Sequence, residues 1–445
     1  MKAKGKSKKV KVKKVIFLKR LRLISLLFIS LLPFAFFLLP SSATRNATNA
    51  RRLAVFDDVW ETVRDRYYDP TFNGLDWQAE RERFRPLAAK AQSTAELYAI
   101  LRRMLGALHD AHTRVFAPGE RFNWQHPRFI SVGIFVREIE GVPVIVAVEK
   151  GSEAERAGLR AGDVLTSVDG EDALKVFARR LSEQVGSSTT HYARLQAMAK
   201  LFEGERNTLV KVGWVGMDGK ERQTTLKRKM TERDAVLQVR RVRERVGLIE
   251  FNVFTLSNAV GFMRTLDGKL RDVRALIIDL RRNGGGETEA LTEIASAFLP
   301  AGKSLGRFTD RSGRTQFEPH TRSAMLFAPD AIKNFRGAVI ILTSEQTSSA
   351  AEIFVAALKE ARRATVIGEN TCGCVLAIRR RHMLPDGGVL DVSEMDYRTA
   401  AGARLEGAGL APDEKVTLER QDLRARRDRA LERAIEQLTS ELSNP

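Results

Sequence analysis

The chain has 445 residues, 43% of them hydrophobic, and a formal net charge of +19. That is enough for two or three domains with a sizeable core, and it excludes wholesale disorder. Much of the excess positive charge lies before Leu23, in MKAKGKSKKVKVKKVIFLKRLR, so it forms no recognisable reading motif and predicts no nucleic-acid partner.

An apolar run, Leu23 to Leu39, follows the basic segment. Basic then apolar is the pattern of an export signal with the basic end left inside. The run falls slightly short of the roughly 20 residues that span a bilayer comfortably. Small residues after Pro40 offer cleavage after Ala43, but the long basic region favours a retained anchor. Residues 1–46 are therefore expected to be a signal peptide or membrane anchor. The remainder is expected to be exported, periplasmic or extracellular. The polar stretch TRNATNARR reads as a linker.

Leu53, Phe56, Val59, Trp60 and Val63 then recur at helical spacing, and further helical patterns run to Leu108. Residues 47–125 form a helical N-terminal region ending in LGALHDAHTRVFAPG. His109 and His112 lie in that stretch with no third ligand nearby, which argues against a metal pair. No metal or cofactor is predicted.

Residues 126–232 read as a β-rich domain. Strand, Glu-Gly turn, strand, short helix, strand and Asp-Gly turn follow one another from Phe129. Ser152 and Glu155 have capping-box spacing, and Gly158 sits where that helix should stop. Phe177 to Phe202 looks like a helical insertion, and a hairpin with an Asp-Gly turn closes the domain.

Residues 233–418 show repeated strand–helix units, which imply an α/β core on a mainly parallel sheet. In ALIIDLRRNGGGETEA, three glycines, Gly284 to Gly286, let a backbone come close to a ligand. No Gly-Lys-Ser/Thr follows, so this is not a phosphate loop. In GAVIILTSEQTSSAAEIFVAALKEA, Val339 to Leu342 make a buried strand, and Ile353, Phe354, Ala357 and Leu358 a helix face. Thr347, Ser348 and Ser349 lie between them. A hydroxyl there is either an ordinary N-cap or a nucleophile beside unpaired N–H groups. Spacing alone does not say which of the three would react. Cys372 and Cys374, the chain's two cysteines, are too few for a disulfide framework or a metal site, and a loop closed between them is not expected. Residues 419–445 form an Arg-rich amphipathic helix expected to pack on the body, with membrane-surface contact the weaker option.

The segments DLRRNGGG, TSSAAEIFVAALKEARRATVIGENTCG and LEGAGLAPD resemble the C-terminal-processing, or tail-specific, serine peptidases, which include the tricorn protease core. The resemblance runs from about Arg52 to about Val416. It implies a crotonase-like α/β core with a helical N-terminal region and an inserted PDZ-like β-rich domain. It further implies an exported serine endopeptidase acting on protein or peptide C-termini. SVGIF is similar to the carboxylate-binding loop of PDZ domains, so Val132, Gly133 and Ile134 would hold a peptide C-terminus added as a strand.

Laying the family's serine motif on TSSAAE places the nucleophile at Ser349 and the motif's glutamate at Glu352, with Thr347 and Ser348 as turn residues. Many relatives use a lysine base, but here Cys374 holds that position and Ile378 the glutamine position that often follows. A thiol does not gain a proton as an amine does, so the serine–lysine dyad is absent. The tricorn-like branch uses histidine and glutamate instead. By resemblance His112 is the base, suited by a pKa near neutrality, and Glu406 orients it. Backbone N–H groups of Gly286 and Ala350 are the expected oxyanion donors, with Gly285 beside them; Glu352 and Glu369 suit structural pairing better. The missing lysine keeps open a catalytically inactive peptide- or lipid-binding protein, as in the retinoid-binding proteins of the interphotoreceptor matrix, which resemble this core. A homo-oligomer is compatible with either reading.

Overall fold

The computed structural model describes residues 42–120, 123, 125–183, 186–323 and 335–443, with side chains from residue 49 onward. The apolar run on which the export and anchor expectations rest lies outside the described residues. Among the described residues, no helix is long and apolar enough to cross a membrane.

The first helix spans Ser42–Arg66. It takes in the stretch TRNATNARR, so the linker expected there is helical instead. Alanine and arginine favour helix, and Val55, Phe56, Val59, Trp60 and Val63 supply the buried stripe that anchors it downstream. Two more helices follow, Trp77–Lys90 and Thr94–Gly106, capped by the side chains of Asp76 and Ser93. All three bury their apolar faces in one cluster with Leu376, Leu384, Leu390 and Val392. Those four residues belong to or flank a second sheet of the body that the sequence reading did not foresee. In it Val389–Arg398 pairs with Arg114–Phe116, Arg307–Thr309 and Ala377–Met383. The strand Arg114–Phe116 comes from the N-terminal region, so the segment just after His112 is hydrogen-bonded into the body.

The β-rich module is joined to the body by a two-stranded antiparallel neck, Arg128–Ser131 with Lys229–Glu232. Its own sheet runs in the order 134–139, 142–148, 164–168, 209–215 and 221–227, so Ile134–Ile139 lies at one edge. Ser152 Oγ accepts from Glu155 N–H at 3.0 Å, as the capping spacing predicts, and Gly158 takes a φ of +93° at the end of that turn. The expected helical insertion is two helices, Ala173–Ser182 and Thr190–Ala199, and the second packs beside the edge strand.

The core sheet runs 237–243, 246–251, 275–279, 338–343, 365–368 and 414–415. The first pair is antiparallel and the rest are parallel. Both faces of the parallel strands are covered, which is why they read as unbroken apolar runs. Helices Leu256–Asp267, Thr288–Ser296 and Ala350–Glu360 cover one face around Phe251, Phe254, Phe262, Phe298 and Phe354. On the other face, Ala430, Leu431, Ala434 and Leu438 of the last helix, Arg429–Ser443, sit on Leu248, Ile277, Ile340 and Leu342. The amphipathic C-terminal helix thus packs on the body.

Candidate active site

The two strand–turn–helix units lie side by side, because strands 275–279 and 338–343 are parallel neighbours. Their turns therefore leave the same end of the sheet, where open α/β sheets place their ligands. Ser349 ends the second turn with φ +57° and ψ −125°, and the helix Ala350–Glu360 starts on its C-terminal side. A non-glycine residue held at positive φ is strained, and such strain persists only where the surroundings enforce it. Ser349 N–H is fixed by Cys374 C=O at 3.0 Å and by Glu352 Oε2 at 3.1 Å. Thr347 Oγ1 donates to Leu280 C=O at 2.8 Å and Ser348 N–H to Asn283 C=O at 3.1 Å. Those two residues stitch the serine turn to the glycine turn, and Ser349 is left partly exposed.

The glycine turn packs against the serine at van der Waals limits. A Cβ on Gly285 would lie 2.6 Å from Ser349 Cβ and 3.0 Å from Ala350 N. Gly285 N–H donates to Asn283 Oδ1 at 2.9 Å, so it is not available as an oxyanion donor. Gly286, at φ +140°, forms a parallel bridge to Phe254 in which its neighbours make the hydrogen bonds: Phe254 N–H to Gly285 C=O and Glu287 N–H to Phe254 C=O. Among the described residues, neither Gly286 N–H nor Ala350 N–H has a hydrogen-bond partner. Two unpaired donors thus flank a partly exposed serine at a helix N-terminus, the arrangement that stabilises a developing oxyanion.

A short strap, residues 371–376, carries the remaining groups. Glu352 is fully buried and accepts from Thr371 Oγ1 at 2.5 Å, Gly373 N–H at 2.7 Å and Cys374 N–H at 2.9 Å, besides Ser349 N–H. Burial raises its pKa, and those donors oppose the rise. It is a structural hub. Glu369 is likewise a pairing residue, 3.0 Å from Arg137 on the module's edge strand, which also reaches Glu345 at 3.2 Å. The sequence reading expected no link between Cys372 and Cys374, but the structure joins them as a disulfide. The strap brings the two residues close enough for a bond that sequence spacing alone argued against.

Glu406 lies against the far end of the strap. Its Oε2 accepts from Val375 N–H at 2.7 Å and Leu376 N–H at 3.2 Å. Burial pushes its pKa up to about 8, against the lowering effect of a hydrogen bond from Ser188, and the neighbouring Asp110 adds to the rise. His112 sits in a loop built by the fully buried Asp110, which accepts from His112 N–H at 2.7 Å and Thr113 N–H at 3.2 Å and pairs with Thr113 Oγ1. Ala111, next to His112, packs on Cys372 and Cys374, and its N–H donates to Ser188 Oγ at 3.2 Å. Burial pushes the imidazole pKa down to about 4, with Asp110 acting in the opposite sense. His112 Nδ1 is buried without a hydrogen-bond partner.

Ser349 N–H and the Glu406 carboxylate thus bond to one strap, and Ala111, the residue before His112, packs on it, but no hydrogen bond among the described residues joins His112 to Ser349 or Glu406. The predicted carboxylate loop lies in the module. Gly133 has φ +81°, its N–H is taken by Ser131 Oγ at 3.0 Å, and Val132 and Ile134 are buried on either side. The sequence reading missed Asn283 and Ser188 and gave Asp110 no role of its own. The first was hidden inside a motif read for its glycines, and the others lacked any spacing signal.

The chain resembles known proteins in sequence and in fold. Residues 245–416 match the model of peptidase family S41, residues 48–106 the tricorn protease C1 domain, and residues 144–191 a PDZ domain. The chain is 25% identical over 397 residues to carboxyl-terminal-processing peptidase 3, chloroplastic, of Arabidopsis thaliana, covering 85% of this chain and 71% of that protein. It is 27% identical over 374 residues to a carboxyl-terminal-processing protease of Picosynechococcus, covering 81% and 82%. Among solved structures, a photosystem II D1 C-terminal processing protease aligns with a TM-score of 0.54 at 24% identity, covering 83% and 94%. Mature CPAF aligns with a TM-score of 0.65 at 14% identity, covering 88% and 97%. These two structural likenesses bear on the fold.

Proposed function

Taking as premise that the chain belongs to the C-terminal-processing serine peptidases and is a serine-type peptidase, we propose that Ser349 is its nucleophile and that it is an exported endopeptidase that binds substrate C-termini and hydrolyses peptide bonds through an acyl-enzyme. The observation that carries this reading is Ser349 itself, partly exposed, held at positive φ and flanked by two unpaired N–H groups. In this reading Ser349 Oγ attacks the scissile carbonyl, and the oxyanion is received by Gly286 and Ala350 N–H. His112 takes the hydroxyl proton and returns it to the leaving amine. Glu406 fixes the imidazole tautomer and balances its charge.

The buried, unpartnered Nδ1 of His112 and the carboxylate of Glu406 are the two ends of the hydrogen bond this mechanism needs. Substrate binding would close it, through a shift of the strap or of the Asp110 turn. The PDZ-like module presents its open edge strand 134–139 to the substrate tail, with Val132 and Ile134 at the carboxylate end, since Gly133 N–H is already taken by Ser131 Oγ. Export, by way of residues 1–46, belongs to the same proposal and rests on their basic-then-apolar order.

The test is labelling by a fluorophosphonate probe together with turnover of a peptide bearing a free C-terminus. Ser349→Ala is expected to lose both, with turnover down by on the order of 10⁴-fold or more, while its unfolding midpoint stays unchanged. Labelling that persists in Ser349→Ala would remove the assignment. Amidating the peptide C-terminus is expected to raise KM more than it lowers kcat, as loss of a remote anchoring contact does.

A further inference from the structure

One face of the neck carries a side-chain cluster that the peptidase chemistry does not use. The neck pairs Arg128 with Glu232, and Arg233 N–H donates to Pro127 C=O at 3.1 Å, so the ladder continues outward and sets His126 opposite Asp234. Strand alternation then places His126, Arg128, Glu232 and Asp234 on the same face. His126 Nδ1 lies 3.4 Å from Asp234 Oδ1 and 3.7 Å from Glu232 Oε1. The three ligand atoms all fall within 4.8 Å of one another. His126 Nδ1 is enclosed and has no hydrogen-bond partner. Arg128 Nε holds the other oxygen of Glu232, Oε2, at 2.8 Å, which leaves Oε1 turned to the imidazole.

Two ligand atoms each about 2.0–2.2 Å from a tetrahedral ion are separated by about 3.3 Å. The imidazole-to-carboxylate separations are close to that value, and a small side-chain adjustment brings the three atoms onto one ion. One imidazole and two carboxylates form a nitrogen–oxygen set that suits zinc or a neighbouring first-row ion. Calcium and magnesium favour oxygen ligands throughout.

We propose that His126, Glu232 and Asp234 bind one zinc ion, completed by water, as a clasp across the neck of the PDZ-like module. The ion ties the strand entering the module to the strand leaving it. Gln125, adjacent to the clasp, donates from Nε2 to Glu287 Oε1 at 2.9 Å, and Glu287 directly follows Gly286. Fixing the neck therefore also fixes a contact one residue away from the glycine turn.

The test uses the full chain carrying Ser349→Ala to prevent self-cleavage, stripped with EDTA and titrated with zinc against a chromogenic chelator. One zinc per chain is expected, with affinity weakened more than about tenfold in both His126→Ala and Asp234→Asn. No binding, or binding that both substitutions leave intact, overturns the proposal. Equal unfolding midpoints in EDTA verify that the variants are folded, and Glu232→Gln replaces any that is not. Amide exchange supplies a second readout. Zinc is expected to slow exchange in residues 125–131 and 229–234 of the parent but not of His126→Ala. Stoichiometric binding with no such slowing puts the ion elsewhere and overturns the clasp.

Discussion

Gly285 approaches Ser349 so closely that a methyl group there would meet Ser349 Cβ at 2.6 Å, a separation that real side chains do not adopt. Gly285→Ala should displace Ser349, the proposed nucleophile, by a few tenths of an ångström or more, and kcat/KM should fall about 100-fold while far-UV circular dichroism stays unchanged. At Glu406 the expectation concerns pH. Its folded pKa of about 8 lies above its ordinary 4.5, so the carboxylate that would balance the imidazolium in the proposed mechanism forms only as pH rises through 8. The profile of kcat/KM should climb through that value, and Glu406→Gln should lack the climb. The same shift destabilises the folded state as pH rises. The contribution is fully present below 4.5 and is lost by the time pH passes 8. His112 acts oppositely over a lower window. Its folded pKa of about 4 lies below its ordinary 6.5, so stability is lost as pH falls from 6.5 through 4. In a Ser349→Ala background, the melting temperature should therefore drop between pH 6.5 and pH 9 more than it does with Glu406→Gln added. Of these residues, Ser349 was singled out only through the resemblance, because spacing left Thr347, Ser348 and Ser349 equivalent, while Gly286 stood out as part of a three-glycine turn. The open contact at His112 was not legible, because hydrogen bonding between distant segments leaves no trace in spacing.

The elements that carry the site were legible wherever an apolar run met a polar turn. Strands 275–279 and 338–343 and the helices after them stand where the pattern placed them, since burial on both faces leaves no competing period. The sheet built on Val389–Arg398 escaped notice. Its strands are short or irregular and its partners come from three separate parts of the chain. The helix from Ser42 was misread at its start because polarity there was taken for a linker, whereas the helix is anchored by the apolar stripe further on. The last helix gives a prediction at this scale. Leu438 is fully buried on the back of the core sheet, so Leu438→Ala should cost about 2–5 kcal/mol in denaturant unfolding. This helix is also tied near the site: Arg281, two residues before Asn283, pairs with Asp428 at 2.7 Å, and Asp428 accepts from Leu431 N–H in the helix's first turn.

For the molecule as a whole, the module and the body touch through more than the neck. Arg137 crosses from the module's edge strand to Glu345 and Glu369 and is largely enclosed there. Arg137→Ala leaves two carboxylates without their cation, so the module should loosen from the body. Faster limited proteolysis within the neck, at an unchanged global unfolding midpoint, would verify this. The neck has an evolutionary consequence as well. Ser131 and Lys229 sit side by side at the module's base, since they are register partners. A foreign domain whose own ends are adjacent could be spliced between them without rerouting a single strand of the hydrolytic framework. Lineages sharing that framework are thus free to exchange the module as a cassette, and, where it reads the substrate tail as proposed, selectivity can change while the body is inherited intact.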